Sequence, residues 1–431
     1  MNIVQITPGA GGMYCGNCFR DNALVGELRR LGHQVTMVPL YLPMTLEDLD
    51  QSLGTPIFFS GINVFLEQKL PWFSKAPGWL RKLLASPALL KWAAGRAAKT
   101  KASDLGDISL SMLQGEAGLQ YKDLVELVDW LEAHEKPDVI FLSNALLVGS
   151  ARLLKQRLKI PVVCMLQGED SFLDALPESH RSLTWSTLAQ RAKDVDLFVA
   201  PSLYFADLMG RRLDLPKAKV RVVYNGIDPL GFDPAPTLPQ PPVIGFFARM
   251  CREKGLEMLV ESFVLLSASN KIPGVRLKIG GGLGPSDRSF VARLQQRLET
   301  AGLTNQVEWH PNLDKATKKA FFESLTVFSV PALYGEAFGL YLLEAWSAGV
   351  PVVQPRHASF PELIEASQAG IIVEPGQPAA LAEGLAALLS DEPRRSQYAH
   401  AARRAATTQF HLAAMAKNLL ETLPTHWPDP V

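Results

Sequence analysis

Short apolar runs alternate with stretches of helical periodicity along almost the whole chain. NIVQI, QVTMVPL, DVIFL, PVVCML and DLFVAP read as strands in the first half, and VRVVY, PVIGFFA, VRLKIG, LTVFSVP and VPVV in the second. A strand with one wet face alternates apolar and polar residues. These are nearly continuously apolar, which implies parallel sheets covered by helices on both faces. The pattern predicts an α/β protein with two doubly wound, Rossmann-like halves. Between them DPLGFDPAPTLPQPP, residues 228–242, carries six prolines. Such a segment fits neither a helix nor a central strand and reads as an interdomain linker. In sheets of this kind ligands are expected at the carboxyl ends of the strands, here in a cleft that the two halves face.

Composition narrows the class. The 431 residues are 47% hydrophobic and 20% charged, a globular balance with room for two or three domains. Lys plus Arg and Asp plus Glu both total 43, so no charge bias argues for nucleic acid. No apolar run reaches the roughly 18 residues of a membrane span. The N-terminus enters a strand at Asn2 without a basic leader or cleavage site, and four cysteines make no disulfide framework. A cytoplasmic protein is expected. One segment breaks the rhythm: residues 69–101 hold eight Lys or Arg and no acid, with Trp72, Phe73, Trp79 and Trp92 among them. A basic amphipathic segment with tryptophans suits the inner membrane surface or an anionic acceptor. It equally suits a helical insertion that packs its tryptophans and solvates its lysines.

Candidate chemistry gathers after the strands. The first strand ends in Thr7-Pro8-Gly9-Ala10-Gly11-Gly12, where backbone N–H groups can approach a phosphate. Tyr14 occupies the third glycine position of the dinucleotide fingerprint, and no P-loop occurs, which disfavours a dehydrogenase or an NTPase. A second glycine turn, Gly280 to Gly284, follows a strand of the other half. The strand PVIGFFA runs into Arg249 and Lys254, two cations that suit a diphosphate, the first as a fork and the second as a point charge. Further on, GEAFGLYLLEAW places Glu336 ahead of a helix expected to start near Phe338 or Gly339, and Glu344 one to two turns inside it. Free N–H groups near Gly339 can take a phosphate. Carboxylates on either side would accept hydroxyl hydrogen bonds, so a ligand with sugar, diphosphate and ribose in sequence would use all three features.

The pair Glu336 and Glu344 resembles the E-x7-E signature of retaining glycosyltransferases of the GT-B fold, family 4 in particular. Flanking motifs agree in order: Gly11-Gly12, Gly32-His33-Gln34-Val35, Pro201-Ser202, Asn225-Gly226-Ile227-Asp228, and Arg249 with Lys254-Gly255. The resemblance implies that the second half binds a nucleotide-diphosphate sugar. Glu344 would hold the ribose, Arg249 and Lys254 the diphosphate, and Glu336 with Phe338, Gly339 and Leu340 the sugar. Gly12 and Gly281 would complete the donor contacts, and no metal or other cofactor would be needed. A glycan or lipid-linked acceptor would meet the first half at Gly11, Asn144 and Asp170. Where the family commonly has His-Gly-x-Asp, this chain has Gln167-Gly168-Glu169-Asp170, and Gln167 can hydrogen-bond a sugar hydroxyl but cannot take a proton. Glu336 and Gln167 are therefore the catalytic candidates. The implied division is 1–228 with an insertion at about 42–115, 229–405, and a C-terminal helix in 406–431 that crosses back.

Rival readings attach to particular residues. Gln167 keeps open a catalytically silent nucleotide-sugar-binding protein; a same-fold epimerase or hydrolase is disfavoured by the glutamate pair. Cys15 and Cys18 with Cys164 and Cys251 raise a zinc or redox site, against which stands an ordinary structural role. Asp48-Leu-Asp50 and Asp194-Val-Asp196 match the D-x-D of metal-dependent glycosyltransferases but read as structural.

Overall fold

The computed structural model describes residues 1–9, 16–43, 49–59, 63, 64, 66, 102–232, 234, 238–424 and 427. Gly11, Gly12, Cys15, Asp48 and the basic segment 69–101 lie outside the described residues. The chain divides into two compact units, Met1–Val223 with Ala416–Val431, and Tyr224–Met415.

The first unit is built on β1 (Asn2–Thr7), β2 (Gln34–Pro39), β3 (Val139–Leu142), β4 (Val162–Met165), β5 (Leu197–Ala200) and β6 (Val220–Val222). These lie in the order β2-β1-β3-β4-β5-β6, all parallel. The second unit has β7 (Val243–Phe247), β8 (Arg276–Gly281), β9 (Val307–Pro311), β10 (Val327–Phe328), β11 (Val352–Pro355) and β12 (Gly370–Val373). Their order is β12-β11-β10-β7-β8-β9, again parallel. The continuously apolar runs are the interior strands: β3, β4, β5, β7, β10 and β11 are buried at every residue. Two strands that apolar continuity did not reveal, β9 and β12, are edges and only half-buried. With one neighbour and a wet side, VEWHP keeps Glu308 and His310 without cost. The run VRVVY supplies β6, the far edge of the first sheet.

Both sheets reverse their winding once, between β1 and β3 in the first and between β7 and β10 in the second. Loops that leave adjacent strands in opposite directions open a crevice there, the usual ligand position in a doubly wound sheet. In the second unit Phe246, Phe263, Phe322, Phe328, Trp346, Phe360 and Phe410 are fully buried and fix the sheet against its helices. Trp346, in the helix Leu340–Ser347, lies 5.3 Å from Phe410. That helix starts at Leu340 behind Gly339, whose φ is 87°, and Gly349 at φ 71° turns the chain out of it toward β11.

One glycine fixes the end of β8 against β7. Gly281 has φ 117°, and a Cβ there would sit 1.9 Å from the Ala248 carbonyl oxygen. Ala248 and Met250 donate to the Gly280 and Gly282 carbonyls at 3.3 and 2.8 Å, so the ladder continues beyond β7 into the loop that carries Arg249. Gly281→Ala is therefore expected to destabilise the second unit by about 2–4 kcal/mol, from strain plus a backbone clash. Urea denaturation of the full chain measures it, and an unchanged midpoint would show that the ladder yields freely.

Candidate functional site

Of the residues singled out in the second half, Lys254 and Glu336 meet at the switch point of the second sheet. The loop after β7 ends at Gly255, the N-cap of the helix Leu256–Ser269, with φ 74°. A Cβ on Gly255 would stand 1.8 Å from the Pro331 carbonyl oxygen, so this loop lies directly against the one leaving β10. That approach sets Lys254 beside Glu336, with Nζ to Oε2 at 2.6 Å. Lys254 also donates to the Tyr334 hydroxyl. The Tyr341 and Tyr334 hydroxyls donate to the same Oε2 at 2.8 and 3.2 Å. Lys254 Nζ lies over both tyrosine rings, 4.8 Å from the Tyr334 centroid and 5.5 Å from that of Tyr341.

The electrostatics follow from burial and pairing. Glu336 is 9% exposed. Burial alone would raise its pKa, but the Lys254 charge and the hydrogen bonds from Lys254, Tyr341 and Tyr334 outweigh that and hold it below the usual value. Burial would lower that of Lys254, yet Glu336 holds it above its ordinary range. Burial and the Glu336 charge raise both tyrosines, which remain donors at neutral pH.

Arg249 forks onto Asp287, with Nε to Oδ2 at 2.9 Å and Nη2 to Oδ1 at 3.1 Å. Its side chain is still 61% exposed, and its Nη1 makes no hydrogen bond to any described residue. Glu344 meets Lys318 at 3.1 Å and is largely enclosed rather than on the open surface. Phe338 turns its ring into the core beside Tyr224 and Phe410, at 6.3 and 6.2 Å, leaving only its backbone toward the loop. Leu340 opens the helix, and Gly281 serves the close approach of β8 to β7. The tyrosines were not among the sequence candidates. The signal was two tyrosines within five residues of a lone loop acid, in YGEAFGLY.

In the first unit the candidates belong to the ends of β3 and β4. The Asn144 side chain accepts from Leu146 N at 3.0 Å, capping the short helix Ala145–Ser150. Its amide oxygen is thus engaged in local structure. Glu169, not among the candidates, accepts from Ala145 N at 2.7 Å and from Gln167 N and Gly168 N at 2.9 Å each, tying the two strand ends together. Gln167 is half-buried beside it. Asp170 is 7% exposed and its Oδ1 is enclosed without a hydrogen-bond partner among the described residues. Burial pushes its carboxyl up to about 6, with Glu169 and Asp174 adding to the rise and the Ser171 backbone N–H opposing it.

The remaining candidates have structural partners. Cys18, Cys164 and Cys251 are buried. Burial raises Cys164 well above its ordinary value and Cys251 to about 11, so neither presents a thiolate at neutral pH. Asp194 and Asp196 pair with Arg152 and Lys155 at 3.1 and 2.6 Å, and Asp50 caps Ser52. Among the described residues no cluster of three His, Cys, Asp or Glu could hold a metal, and no helix is long and apolar enough to cross a membrane.

Two doubly wound sheets, with cations and paired glutamates at the switch point of the second, define a protein of GT-B type. Residues 233–405 match the "Glycosyl transferases group 1" model, and residues 109–229 the "Glycosyltransferase Family 4" model. It is 32% identical over 131 residues to the phosphatidyl-myo-inositol mannosyltransferase of Mycobacterium leprae, covering 30% of this chain and 35% of that one. It is 30% identical over 170 residues to the lipopolysaccharide core biosynthesis mannosyltransferase LpsB of Rhizobium meliloti, covering 38% and 45%. The chain spans about half the length or less of these curated relatives. Among solved structures, Anabaena Alr3699/HepE in complex with UDP superposes with a TM-score of 0.66 at 17% identity, covering 98% of this chain and 99% of that one. At that identity the likeness is one of fold.

Asp170 yields a pH prediction. Its folded-state pKa of about 6 lies above the ordinary value of 3.8, so the folded protein favours the protonated carboxyl. Its contribution to stability is present below about pH 4 and lost as pH rises through 6. Asp170→Asn, which mimics the neutral form, should stabilise the protein by about 1–3 kcal/mol at pH 7 and by nothing below pH 4. Denaturant midpoints at the two pH values check the sign.

Proposed function

We propose that the protein is a retaining glycosyltransferase that moves a sugar from a nucleotide-diphosphate sugar to a hydroxyl of a glycan or lipid-linked glycan, without a metal. The observation that carries this reading is the grouping of Lys254, Glu336 and the start of the helix Leu340–Ser347 at one switch point. Lys254 and the free Arg249 Nη1 would meet the diphosphate together with the first N–H groups of the helix. Glu336 would accept sugar hydroxyls, and Glu344 those of the ribose. As the bond to the anomeric carbon breaks, charge gathers on the departing diphosphate, and fixed cations and N–H groups aimed at it stabilise the transition state by several kcal/mol in comparable sites. The acceptor hydroxyl attacks on the face that the leaving group vacates, which retains configuration.

The acceptor class leans on the relatives, whose names specify phosphatidyl-myo-inositol and lipopolysaccharide core. The first unit would hold it, with Gln167, Asn144 and Asp170 near the strand ends. The basic segment 69–101 would bring the protein to an anionic membrane surface.

Turnover over a panel of UDP-, GDP- and ADP-sugars, with and without lipid or glycan acceptors and with EDTA throughout, tests the reading. Binding without nucleotide release under every condition would instead establish a silent sugar-nucleotide binder. Glu336→Gln is expected to keep the affinity for the bare nucleotide, weaken that for the nucleotide sugar, and lower transfer by about 10²-fold or more, since it removes charge at the reacting sugar. Glu344→Ala should weaken donor affinity about tenfold, the loss of a hydrogen bond to a charged group. If both variants behave as wild type, the donor site is elsewhere. Flotation on anionic liposomes, with 69–101 present and deleted, checks the membrane contact.

A further inference from the structure

We infer that Tyr334 and Tyr341 are positioning residues that hold the Glu336 carboxylate by one oxygen and reserve the other for the donor sugar. The inference rests on the donor-site reading above.

Glu336 is held asymmetrically. Oε2 accepts from Lys254 at 2.6 Å, Tyr341 at 2.8 Å and Tyr334 at 3.2 Å, while Oε1 makes no hydrogen bond to any described residue. A carboxylate oxygen has two lone pairs, so three donors saturate Oε2. A glutamate's terminal torsion is broad and roughly two-fold, and a lysine alone would be served equally well by either oxygen. The hydroxyls remove that degeneracy, because they approach from two further directions. Tyr341 comes from the first turn of the helix Leu340–Ser347 and Tyr334 from the loop leaving β10. The backbone adds a restraint: Ser359 N donates to the Glu336 carbonyl oxygen at 3.4 Å and Ser359 Oγ to that of Phe338 at 3.2 Å. The carboxylate thus presents one free acceptor in one orientation. The tyrosine rings also lie against the Lys254 ammonium, so replacement by phenylalanine keeps the cation–π contact and the packing; it deletes one donor at Tyr341, and at Tyr334 one donor together with an acceptor of Lys254.

The test compares wild type, Tyr341→Phe and Tyr334→Phe by calorimetry with four probes, UDP, UDP-glucose, GDP and GDP-mannose, between pH 4 and 7. In Tyr341→Phe the affinity for the bare nucleotide should stay within about twofold, while that for the nucleotide sugar falls about 5- to 20-fold, the loss expected from one hydrogen bond to a charged group. Fewer donors on Oε2 raise the pKa of Glu336. The pH below which nucleotide-sugar affinity collapses should therefore move upward from its wild-type position below about 4.5. Tyr334→Phe, whose bond is longer and whose side chain is less buried, should show the same shifts at smaller size, and it serves if Tyr341→Phe fails to fold. Equal losses for nucleotide and nucleotide sugar, or an unmoved acid limb in both variants, would assign the tyrosines to packing alone and overturn the inference while leaving the donor site intact. A wild type that binds none of the four probes would overturn the donor site itself, and the positioning role with it.

Discussion

The ion pair between Lys254 and Glu336 sets the arrangement of the loops around it. Both groups are largely out of water, and desolvating two charges costs several kcal/mol each before any return. Attraction at 2.6 Å offsets that cost only when the remaining hydrogen-bonding capacity is met, and here the tyrosine hydroxyls and rings meet it. Removing any one partner would leave a buried charge under-satisfied. The pair is therefore poor evidence for stability and good evidence for a specified geometry: the loops after β7 and β10 are arranged so that Lys254 and both tyrosines meet on one oxygen of Glu336.

Backbone features bring the pair together. Gly255 lets the β7 loop lie against the Pro331 carbonyl, and Gly281 lets β8 close on Ala248, each at a separation no other residue could match. Phe338 then fixes the β10 loop from below, with its ring among Tyr224 and Phe410. The charged groups are carried on loops, but these loops are held by glycines, a core aromatic and the ladder from Ala248 to Met250. Preorganisation of this kind makes fixed charges effective toward a ligand, because little reorganisation is left to do on binding.

Interior strands were legible because burial on both faces writes itself into sequence as uninterrupted apolar residues. β9 was not, since an edge strand tolerates Glu308 and His310, and β12, the four residues GIIV, is too short a run to stand out. The glutamates and cations were legible through spacing, and their positions at strand ends through the sheet order. Their partners were not. Nothing in the spacing of Arg249 indicates Asp287, 38 residues away, and nothing in that of Glu344 indicates Lys318. Glu169 escaped notice because its work is done on backbone N–H groups, which have no sequence signature. The aromatic pair around Glu336 was visible as letters, but only the fold shows both hydroxyls on one oxygen.

These pairings share a property that bears on ligand choice. Arg249 with Asp287, Lys254 with Glu336, and Lys318 with Glu344 each balance a positive and a negative group, so these three pairs together add no net charge. A bare anion meets no uncompensated cation among them. A ligand must instead offer something to both members of a pair: charge to the lysine or arginine, and hydroxyls to the carboxylate. Under the proposed reading a nucleotide-diphosphate sugar does this and inorganic phosphate does not, because phosphate would draw Lys254 from Glu336 and give the carboxylate nothing in return. Discrimination by leaving a buried polar group unpaired is stronger than discrimination by added attraction. The self-paired site is in that sense a filter for ligands that carry phosphate and hydroxyl at a fixed separation.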